Sequence, residues 1–429
     1  MEVDTLRDLI VDSQAQLAPP PVRRTLEPLE AAKKVFVCIG PRRAGKSTFL
    51  NQIATDKLAQ GVARENFLFV NFQDDRLKAV RAGDFELILT AYYGLFPSKR
   101  GSELVYAFFD EIQEATGWEL FVERFLRTER VQLYLTGSSA RLLSREIATE
   151  LRGRALTGEL WPFSLAEFLR FRGVEANRPG TKHESLVRHA FTDYWERGGF
   201  PEVREGSSQL RVAIHQEYLR TMVYRDIIER HDCAHPQAVL KLTEKLVSSV
   251  ANLYTLNRLT EYLRSLGFKV QKDFVSDVLT WLEDAFVLFS VRLWDRSLAK
   301  QNVNARKIYM VDHALAVSCD ASFSEKRGYL LENLVFCHLK RRAAPLHYLR
   351  TKSGYEVDFR VGGDQATALI QVAWDLNDEA RTREVRALLQ AMDEEGLATA
   401  TLITWDTDEL IRVGEKEIRV LPIRRFLLA

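Results

Sequence analysis

The segment that most constrains this chain is a glycine-rich stretch near residue 40. Residues 40–47 read Gly-Pro-Arg-Arg-Ala-Gly-Lys-Ser, which fits the pattern GxxxxGK[ST]. An apolar run, Val35 to Ile39, precedes the stretch, and a helix-compatible segment, Thr48 to Leu58, follows it. In that context backbone N–H groups and the N-terminus of the helix face anionic oxygens. The alternative is a purely structural glycine turn.

The pattern therefore predicts a loop that binds the phosphates of a nucleotide. Its predicted binding residues are consecutive: Gly40, Pro41, Arg42, Arg43, Ala44, Gly45, Lys46, Ser47 and Thr48.

A second apolar run ends in two acids. Residues 105–111 read Val-Tyr-Ala-Phe-Phe-Asp-Glu, the form of a buried strand that delivers carboxylates to the ligand edge of a parallel sheet. We expect Asp110 to bind Mg²⁺ together with Ser47, and Glu111 to polarise the attacking water. ATP and Mg²⁺ are therefore the predicted ligands. The alternative is an ordinary strand that runs into an acidic helix cap.

Composition sets broader limits. A chain of 429 residues divides into about three domains, and 46% hydrophobic and 28% charged residues are typical of a globular protein. The net charge of +1 does not favour an anionic partner, so a nucleic-acid surface would depend on local clusters of basic residues. The four cysteines are scattered without a CxxC pair, which predicts neither zinc nor disulfides. With no apolar segment of membrane-spanning length, we predict a cytoplasmic protein that makes no contact with a membrane.

Short apolar runs alternate with helical segments over residues 31–170. This rhythm predicts an α/β domain with a parallel sheet covered by helices on both faces. Residues 1–30 form a helix and a proline-rich connector in this prediction. The run at 131–136 ends in Gly137-Ser138-Ser139, and Ser138 is placed to sense a γ-phosphate. Alternatively these serines cap the next helix.

Several motifs together resemble a known family. In order, they are the phosphate loop, the Phe-Asp-Glu acids, Leu-Thr-Gly-Ser-Ser at 135–139, Leu-Arg-Gly-Arg at 151–154, Trp-Pro-Phe-Ser-Leu-Ala-Glu-Phe at 161–168 and Gly-Gly-Phe-Pro-Glu at 198–202. This order is similar to that of AAA-type ATPases that carry a C-terminal domain of unknown function, DUF4143. The resemblance runs from about residue 30 to the C-terminus. It implies an AAA+ core that works as a ring of identical subunits, hexameric or heptameric.

The resemblance also implies residue roles. In a ring ATPase an arginine from the neighbouring subunit neutralises charge on the γ-phosphate, and Arg152 or Arg154 stands where such a finger is expected. Alternatively both arginines form ion pairs within their own subunit. Residues 171–235 correspond to a helical lid, from which Arg197 or Arg225 could reach phosphate.

Residues 236–322 predict a winged-helix domain. The spacing of apolar residues over 256–267 is typical of a helix-turn-helix, and two strand-like runs follow at 287–293 and 307–311. The third helix, predicted from Ser276 to Phe286, carries acids where a helix that reads DNA bases carries Arg or Asn. We therefore expect packing, or phosphate contact through the wing, rather than base readout.

The order of elements over residues 323–429 resembles the restriction-endonuclease-like fold. In active members of that fold, a helix Glu, a strand Asp and an acid-x-Lys pair on the next strand gather metal and activate water. Glu332 and Asp358 match the first two positions, but Gln371 replaces the acid and Ala373 the lysine. The resemblance thus implies a degenerate site that does not cut.

The predicted function is a ring-forming ATPase that couples hydrolysis to DNA remodelling, with branched or recombining duplexes as candidate substrates. Six basic residues are candidates for holding the phosphate backbone: Lys340, Arg341, Arg342, Arg350, Lys352 and Arg360. Alternatively the C-terminal domain serves assembly only. Two competing functions are a nucleotide-dependent switch or scaffold that recruits a protein partner, in stress or phage defence, and a metal-dependent nuclease that uses other acids such as Glu356.

Overall fold

A computed structural model describes residues 2–77, 84–137, 153–176 and 178–429. The chain divides into two compact units, Met1–Trp161 and Pro162–Ala429, which are described in turn. No helix in the described part of the chain combines the length and the apolar character that crossing a bilayer requires.

The first unit contains five described strands in one parallel sheet, in the order β2-β3-β4-β1-β5. The strands are β1 Val35–Ile39, β2 Phe67–Asn71, β3 Val105–Asp110, β4 Val131–Gly137 and β5 Ala155–Glu159. The described helices of this unit are α1 Val3–Ala15, α2 Lys46–Ala59, α3 Phe85–Leu95 and α4 Trp118–Thr128. Since β1 lies inside the sheet, the loop that follows it opens at the carboxyl edge between β1 and β4. The predicted parallel α/β sheet is confirmed.

Aromatic side chains fill the core of this sheet. Phe108 on β3 stacks on Tyr134 on β4 with ring centroids 4.8 Å apart, and Phe36 on β1 meets the edge of Tyr134 at 6.4 Å. All three side chains are buried. Such continuous apolar strands are typical of a sheet that is covered on both faces, so neighbouring strands are fixed in register at the edge that carries the phosphate loop.

The N-terminal helix packs on the same unit. Leu6 and Ile10 of α1 are buried, and Gln14 donates a hydrogen bond to the Phe67 carbonyl on β2 at 2.7 Å. The connector after α1 then runs to the phosphate loop, where Arg24 is buried. Helix α1 and the connector that follows it are therefore part of the folded first unit.

The second unit holds the remaining described elements. Its helices are α5 Leu165–Phe171, α6 Thr181–Arg197, α7 Ser208–Val223, which continues as a π-helical turn at Tyr224–Glu229, α8 Pro236–Val247, α9 Leu256–Ser265, α10 Lys272–Asp284, α11 Leu298–Val303, α12 His313–Cys319, α13 Arg327–Lys340, α14 Asp378–Glu395 and α15 Ile423–Leu428. Its strands are β6 Leu253–Tyr254, β7 Leu288–Leu293, β8 Arg306–Met310, β9 Leu346–Arg350, β10 Glu356–Val361, β11 Ala368–Val372, β12 Thr399–Thr404, β13 Glu409–Val413 and β14 Lys416–Pro422.

These strands form one mixed sheet in the order β13-β14-β12-β11-β10-β9-β7-β8-β6. Strand β7, predicted for the winged-helix domain, pairs in parallel with β9 of the predicted nuclease-like domain. The sheet is therefore continuous across the boundary predicted at residue 322. The winged-helix and nuclease-like assignments stay predictions, whereas the C-terminal mixed sheet is established.

The third helix of the predicted winged-helix segment begins earlier than expected. Helix α10 starts at Lys272 rather than at Ser276, because Val275 and Val278 are both buried on its inner face. Val275 and Val278 are three residues apart and so lie on one side of a helix. For both to belong to α10, the helix must begin before Val275.

Candidate phosphate-binding site and its surroundings

The phosphate loop joins β1 to α2 with a backbone that needs glycine at its first position. Gly40 has φ +157°, and a Cβ built on it would lie 2.2 Å from the Leu160 carbonyl oxygen. Gly45 precedes α2 with φ +93°, in the left-handed region. The loop therefore passes close to its neighbouring strand before the N-terminus of α2 opens to solvent, where Ser47 and Thr48 are exposed.

Lys46 lies inside the loop. Its Nζ donates to the carbonyl oxygens of Gly40 and Pro41 at 3.2 and 3.1 Å and stands 3.6 Å from Oε1 of Glu111. The side chain is only 5% exposed. A point charge held at the centre of a loop that suits anions is the arrangement that phosphate oxygens require.

Asp110 closes the other side of the site at the end of β3. Burial raises the pKa of Asp110, while hydrogen bonds from Ser47 and Thr136 act in the opposite direction. A serine hydroxyl and a buried carboxylate therefore meet at one point, which is a fitting pair of oxygen donors for Mg²⁺. When bound there, the ion would neutralise charge on phosphate oxygens.

Thr136 joins the two acids and was not identified from the sequence. Its hydroxyl donates to Oδ1 of Asp110, and its oxygen accepts a hydrogen bond from the backbone N–H of Glu111 at 2.9 Å. Glu111 adopts φ 51° and ψ 47°, a left-handed conformation that is costly for a glutamate and clusters at functional sites. Thr136 therefore holds the backbone of Glu111 beside Asp110, while the Glu111 carboxylate accepts a hydrogen bond from Nε2 of Gln113 and faces Lys46.

Arg24 is a second residue whose role the sequence did not reveal. Its Nη1 donates to the Ala44 carbonyl at 2.7 Å, its Nη2 donates to the Trp161 carbonyl, and its backbone N–H donates to Gln52 on α2 at 2.7 Å. The side chain is 6% exposed. Through Arg24, the connector thus forms hydrogen bonds with the phosphate loop, with α2 and with Trp161 at the end of the first unit. In the sequence, Arg24 simply follows Arg23 and belongs to none of the motifs.

Three residues were predicted to act at the γ-phosphate: Ser138, Arg152 and Arg154. Ser138 and Arg152 lie outside the described residues. The Arg154 carbonyl accepts from the N–H of Val35 at 2.9 Å, so Arg154 lies at the start of β5 and at the amino end of β1. The phosphate loop lies at the other end of β1, about 16 Å away for a five-residue strand. A role of Arg154 at a phosphate would therefore require a second subunit.

The predicted degenerate nuclease residues come together in the second unit. Glu332 on α13 and Asp358 on β10 both accept a hydrogen bond from Nζ of Lys307, at 2.9 and 2.7 Å. Gln371 is engaged elsewhere: its Oε1 accepts from the Asp358 N–H at 3.0 Å, and its Nε2 donates to Glu384 at 2.6 Å. The amide of Gln371 thus links the backbone of β10 at Asp358 to Glu384 on α14.

Two of the six residues predicted to hold nucleic acid need correction. Arg360 is fully buried: it pairs with Glu395 at 2.8 Å, donates to the carbonyls of Gly362 and Gly363, and lies 3.6 Å from the Trp294 ring centre. Arg341 donates to the Pro162 carbonyl at 2.9 Å. Both guanidinium groups hold the fold. Of the other four, Arg342, Arg350 and Lys352 are exposed and Lys340 is half-buried.

The parallel sheet with its β1 loop, buried lysine and strand-end acids defines the first unit as an AAA-type P-loop ATPase domain. Sequence comparison agrees: residues 32–169 match an AAA domain, residues 188–326 a domain of unknown function (DUF8612) and residues 327–426 a domain of unknown function (DUF4143). The chain belongs to the family of AAA-type ATPases with a C-terminal DUF4143 domain, as its motifs had indicated.

Two relatives match over most of their length. The uncharacterized protein MJ1544 of Methanocaldococcus jannaschii is 31% identical over 419 residues, which are 95% of this chain and 91% of the relative. An uncharacterized protein of Haemophilus influenzae is 29% identical over 361 residues, which are 84% of this chain and 86% of the relative.

Solved structures show a more distant likeness. The Walker-type ATPase PABY2304 of Pyrococcus abyssi aligns with TM-score 0.43 at 16% identity, over 74% of this chain and 95% of that one. The Aeropyrum pernix ORC1 protein, solved in complex with DNA, aligns with TM-score 0.30 at 15% identity, over 75% of this chain and 94% of that one. Likeness at these TM-scores does not establish a shared function.

Proposed function

We propose that this protein hydrolyses ATP with Mg²⁺ in a ring of identical subunits and couples hydrolysis to the binding and remodelling of DNA, with branched or recombination intermediates as candidate substrates. The observation that carries the proposal is the meeting of Lys46, Ser47, Asp110 and Glu111 at one edge of the parallel sheet. Lys46 and the loop N–H groups bind phosphates, Ser47 and Asp110 hold the metal ion, and Glu111 orients the attacking water.

ATP turnover of the purified chain tests the enzymatic step. Wild-type protein hydrolyses ATP in this proposal, and Lys46→Ala abolishes turnover because the phosphates lose their buried cation. Lys57→Ala is the matched control: this lysine lies on the same helix and pairs with Glu30 at 2.9 Å, away from the loop. Equal turnover in all three proteins would refute the proposal.

The arginine finger is testable by mixing inactive subunits. Removal of a finger in trans lowers kcat by about 10³–10⁵-fold, so Arg154→Ala alone is inactive if Arg154 is the finger. A one-to-one mixture of Arg154→Ala with Lys46→Ala then forms some sites from an intact loop and an intact neighbouring arginine. We expect recovery of about a quarter of wild-type turnover by random mixing. Arg152→Ala is tested in the same way, and full activity of both single variants would exclude a finger at either position.

The DNA step is tested with single-stranded, duplex, forked and four-way DNA. A DNA motor shows turnover stimulated by at least one of these substrates, whereas a nucleotide-dependent switch shows slow turnover that DNA does not change. Alanine at Arg342, Arg350 and Lys352 weakens DNA binding across sequences and lowers the salt slope by about one per phosphate contact. Arg412→Ala, also on the surface, is the control.

Ring formation is measured by mass with ATP or a non-hydrolysable analogue. The proposal expects hexamers or heptamers. A chain that stays monomeric at saturating nucleotide would contradict the shared active site.

A further inference from the structure

Three carboxylates in the second unit converge on one lysine. Nζ of Lys307 lies 2.9 Å from Oε1 of Glu332, 2.8 Å from Oε1 of Glu356 and 2.7 Å from Oδ1 of Asp358. The lysine side chain is 4% exposed. Its partners come from a helix, α13, and from alternate positions of a strand, β10, so the convergence is a product of the tertiary fold.

The lysine reaches across the sheet. Strands β9 and β7 lie between β8, which carries Lys307, and β10, which carries Asp358. Three strand spacings amount to about 14 Å in a flat sheet, more than a lysine side chain can span. The side chains of Lys307 and Asp358 therefore extend toward each other along one face of the sheet, where Nζ lies 2.7 Å from Oδ1 of Asp358.

Hydrogen bonds fix the acids around this point. The hydroxyl of Tyr309 donates to Oε1 of Glu332 at 2.6 Å, and the N–H of Val372 donates to Oδ2 of Asp358 at 2.9 Å. Although burial disfavours a charged amine, the carboxylates of Asp358 and Glu332 raise the pKa of Lys307 well above its ordinary value. The amine of Lys307 therefore lies among three carboxylate oxygens at 2.7–2.9 Å, the surroundings that suit a cation.

The predicted nuclease-like fold would place a metal ion at Glu332 and Asp358, and the residues present do not fit one. Among the described residues no group of three or more His, Cys, Asp or Glu side chains is arranged to hold a metal. We propose that the ammonium of Lys307 occupies the cation position of this carboxylate cluster, so that the domain carries an internal cation in place of a divalent metal. The carboxylate oxygens lie 2.7–2.9 Å from Nζ, only a few tenths of an ångström farther than calcium–oxygen distances in proteins. Without the ammonium, the oxygens would therefore surround a space close to the size that Ca²⁺ needs.

This inference concerns the second unit alone and does not depend on ATP hydrolysis. The test counts Mn²⁺ ions bound per full-length chain without nucleotide, by electron paramagnetic resonance, and measures melting with and without Mn²⁺ or Ca²⁺. Comparison with wild type cancels any ion bound by the first unit.

Lys307→Ala is expected to melt about 10 °C below wild type because it leaves buried carboxylates uncompensated. It is also expected to bind one more Mn²⁺ than wild type and to recover melting temperature with Mn²⁺ or Ca²⁺. Lys307→Arg, which keeps a cation, and Lys307→Ala with Asp358→Asn gain no ion. A folded Lys307→Ala protein that gains no ion overturns the proposal.

A second comparison holds even where Lys307→Ala does not fold. Glu356 is partly exposed, so Glu356→Gln is the gentlest change to the cluster. Wild type and Glu356→Gln bind equal numbers of Mn²⁺ ions if the lysine fills the site. A wild-type ion that is lost in Glu356→Gln, or plasmid cleavage by wild type that needs metal and Asp358, would show that a metal enters and would overturn the proposal.

Discussion

Replacing Arg24 by methionine tests whether the N-terminal connector supports the phosphate loop. Methionine keeps most of the apolar stem of arginine and removes the guanidinium, which donates to the carbonyls of Ala44 and Trp161. The backbone bond from Arg24 to Gln52 survives the change. The variant therefore isolates the two charged hydrogen bonds behind the loop.

The expected loss follows from those two bonds. Hydrogen bonds to charged groups contribute about 1.5–3 kcal/mol each, and both carbonyls are left without this partner in a buried place. We expect the free energy of local opening of the loop and α2 to fall by about 3–5 kcal/mol. At about 1.4 kcal/mol per tenfold change, amide exchange there becomes about 10²–10³·⁵ times faster.

Hydrogen exchange measured by mass spectrometry on peptides that cover residues 35–59 reads this quantity directly. Arg23→Met is the matched control, because Arg23 is exposed and pairs with Asp56 at 2.6 Å on the surface. A surface pair of this kind contributes about 0–1 kcal/mol. Equal exchange rates in the two variants would refute a supporting role for Arg24.

Three further predictions address single residues. Thr136→Val removes the hydroxyl between Asp110 and Glu111, so kcat for ATP is expected to fall about 10–100-fold with little change in KM. Thr136→Ser keeps the hydroxyl and is expected to retain activity. A change in KM with kcat unaltered would contradict this prediction. Burial lowers the pKa of His338 to about 3, so the folded state takes up a proton less readily than the unfolded state, and stability falls as pH decreases below about 6.5. His338→Leu should therefore remove about 3 kcal/mol of the loss of unfolding free energy between pH 6.5 and 4, and an acid dependence unchanged by this substitution would contradict the prediction. Asp312 accepts hydrogen bonds from the N–H groups of Ala314, Leu315 and Gly199 at 2.7–3.0 Å, so Asp312→Ala should lower the free energy of unfolding in urea by about 2–4 kcal/mol. Asp320→Ala is the control, because Asp320 caps a surface turn. A loss no larger than that of the control would show that the bond to Gly199 contributes nothing.

The phosphate loop and the parallel sheet were predictable because their signals are local. The run Val35 to Ile39 is buried at every position of β1, and the glycine pattern follows it directly in the chain. The strand that ends in Asp110 obeys the same rule, since its apolar residues and its acid are adjacent in the chain. The phosphate loop and the strand that ends in Asp110 were therefore predictable from the sequence without any tertiary contact.

The supports of the site were not predictable in the same way. Arg24 stands 20 residues before Ala44 and 137 before Trp161, and no periodic pattern links positions so far apart. Thr136 resembled an ordinary strand residue until β4 lay beside β3. Arg360 resembled a surface cation, yet it is buried against Trp294 and Glu395.

The sequence by itself predicted the elements whose key residues are neighbours in the chain, namely the phosphate loop after β1 and the two acids at the end of β3. The tertiary structure decided which distant charges meet. Only the strand order of the mixed sheet and the packing of α13 bring Lys307 on β8 to Glu332 and Asp358. The physical reason is that periodicity reports which face of an element is buried, whereas the partner of a buried charge is set by packing between elements far apart in the chain.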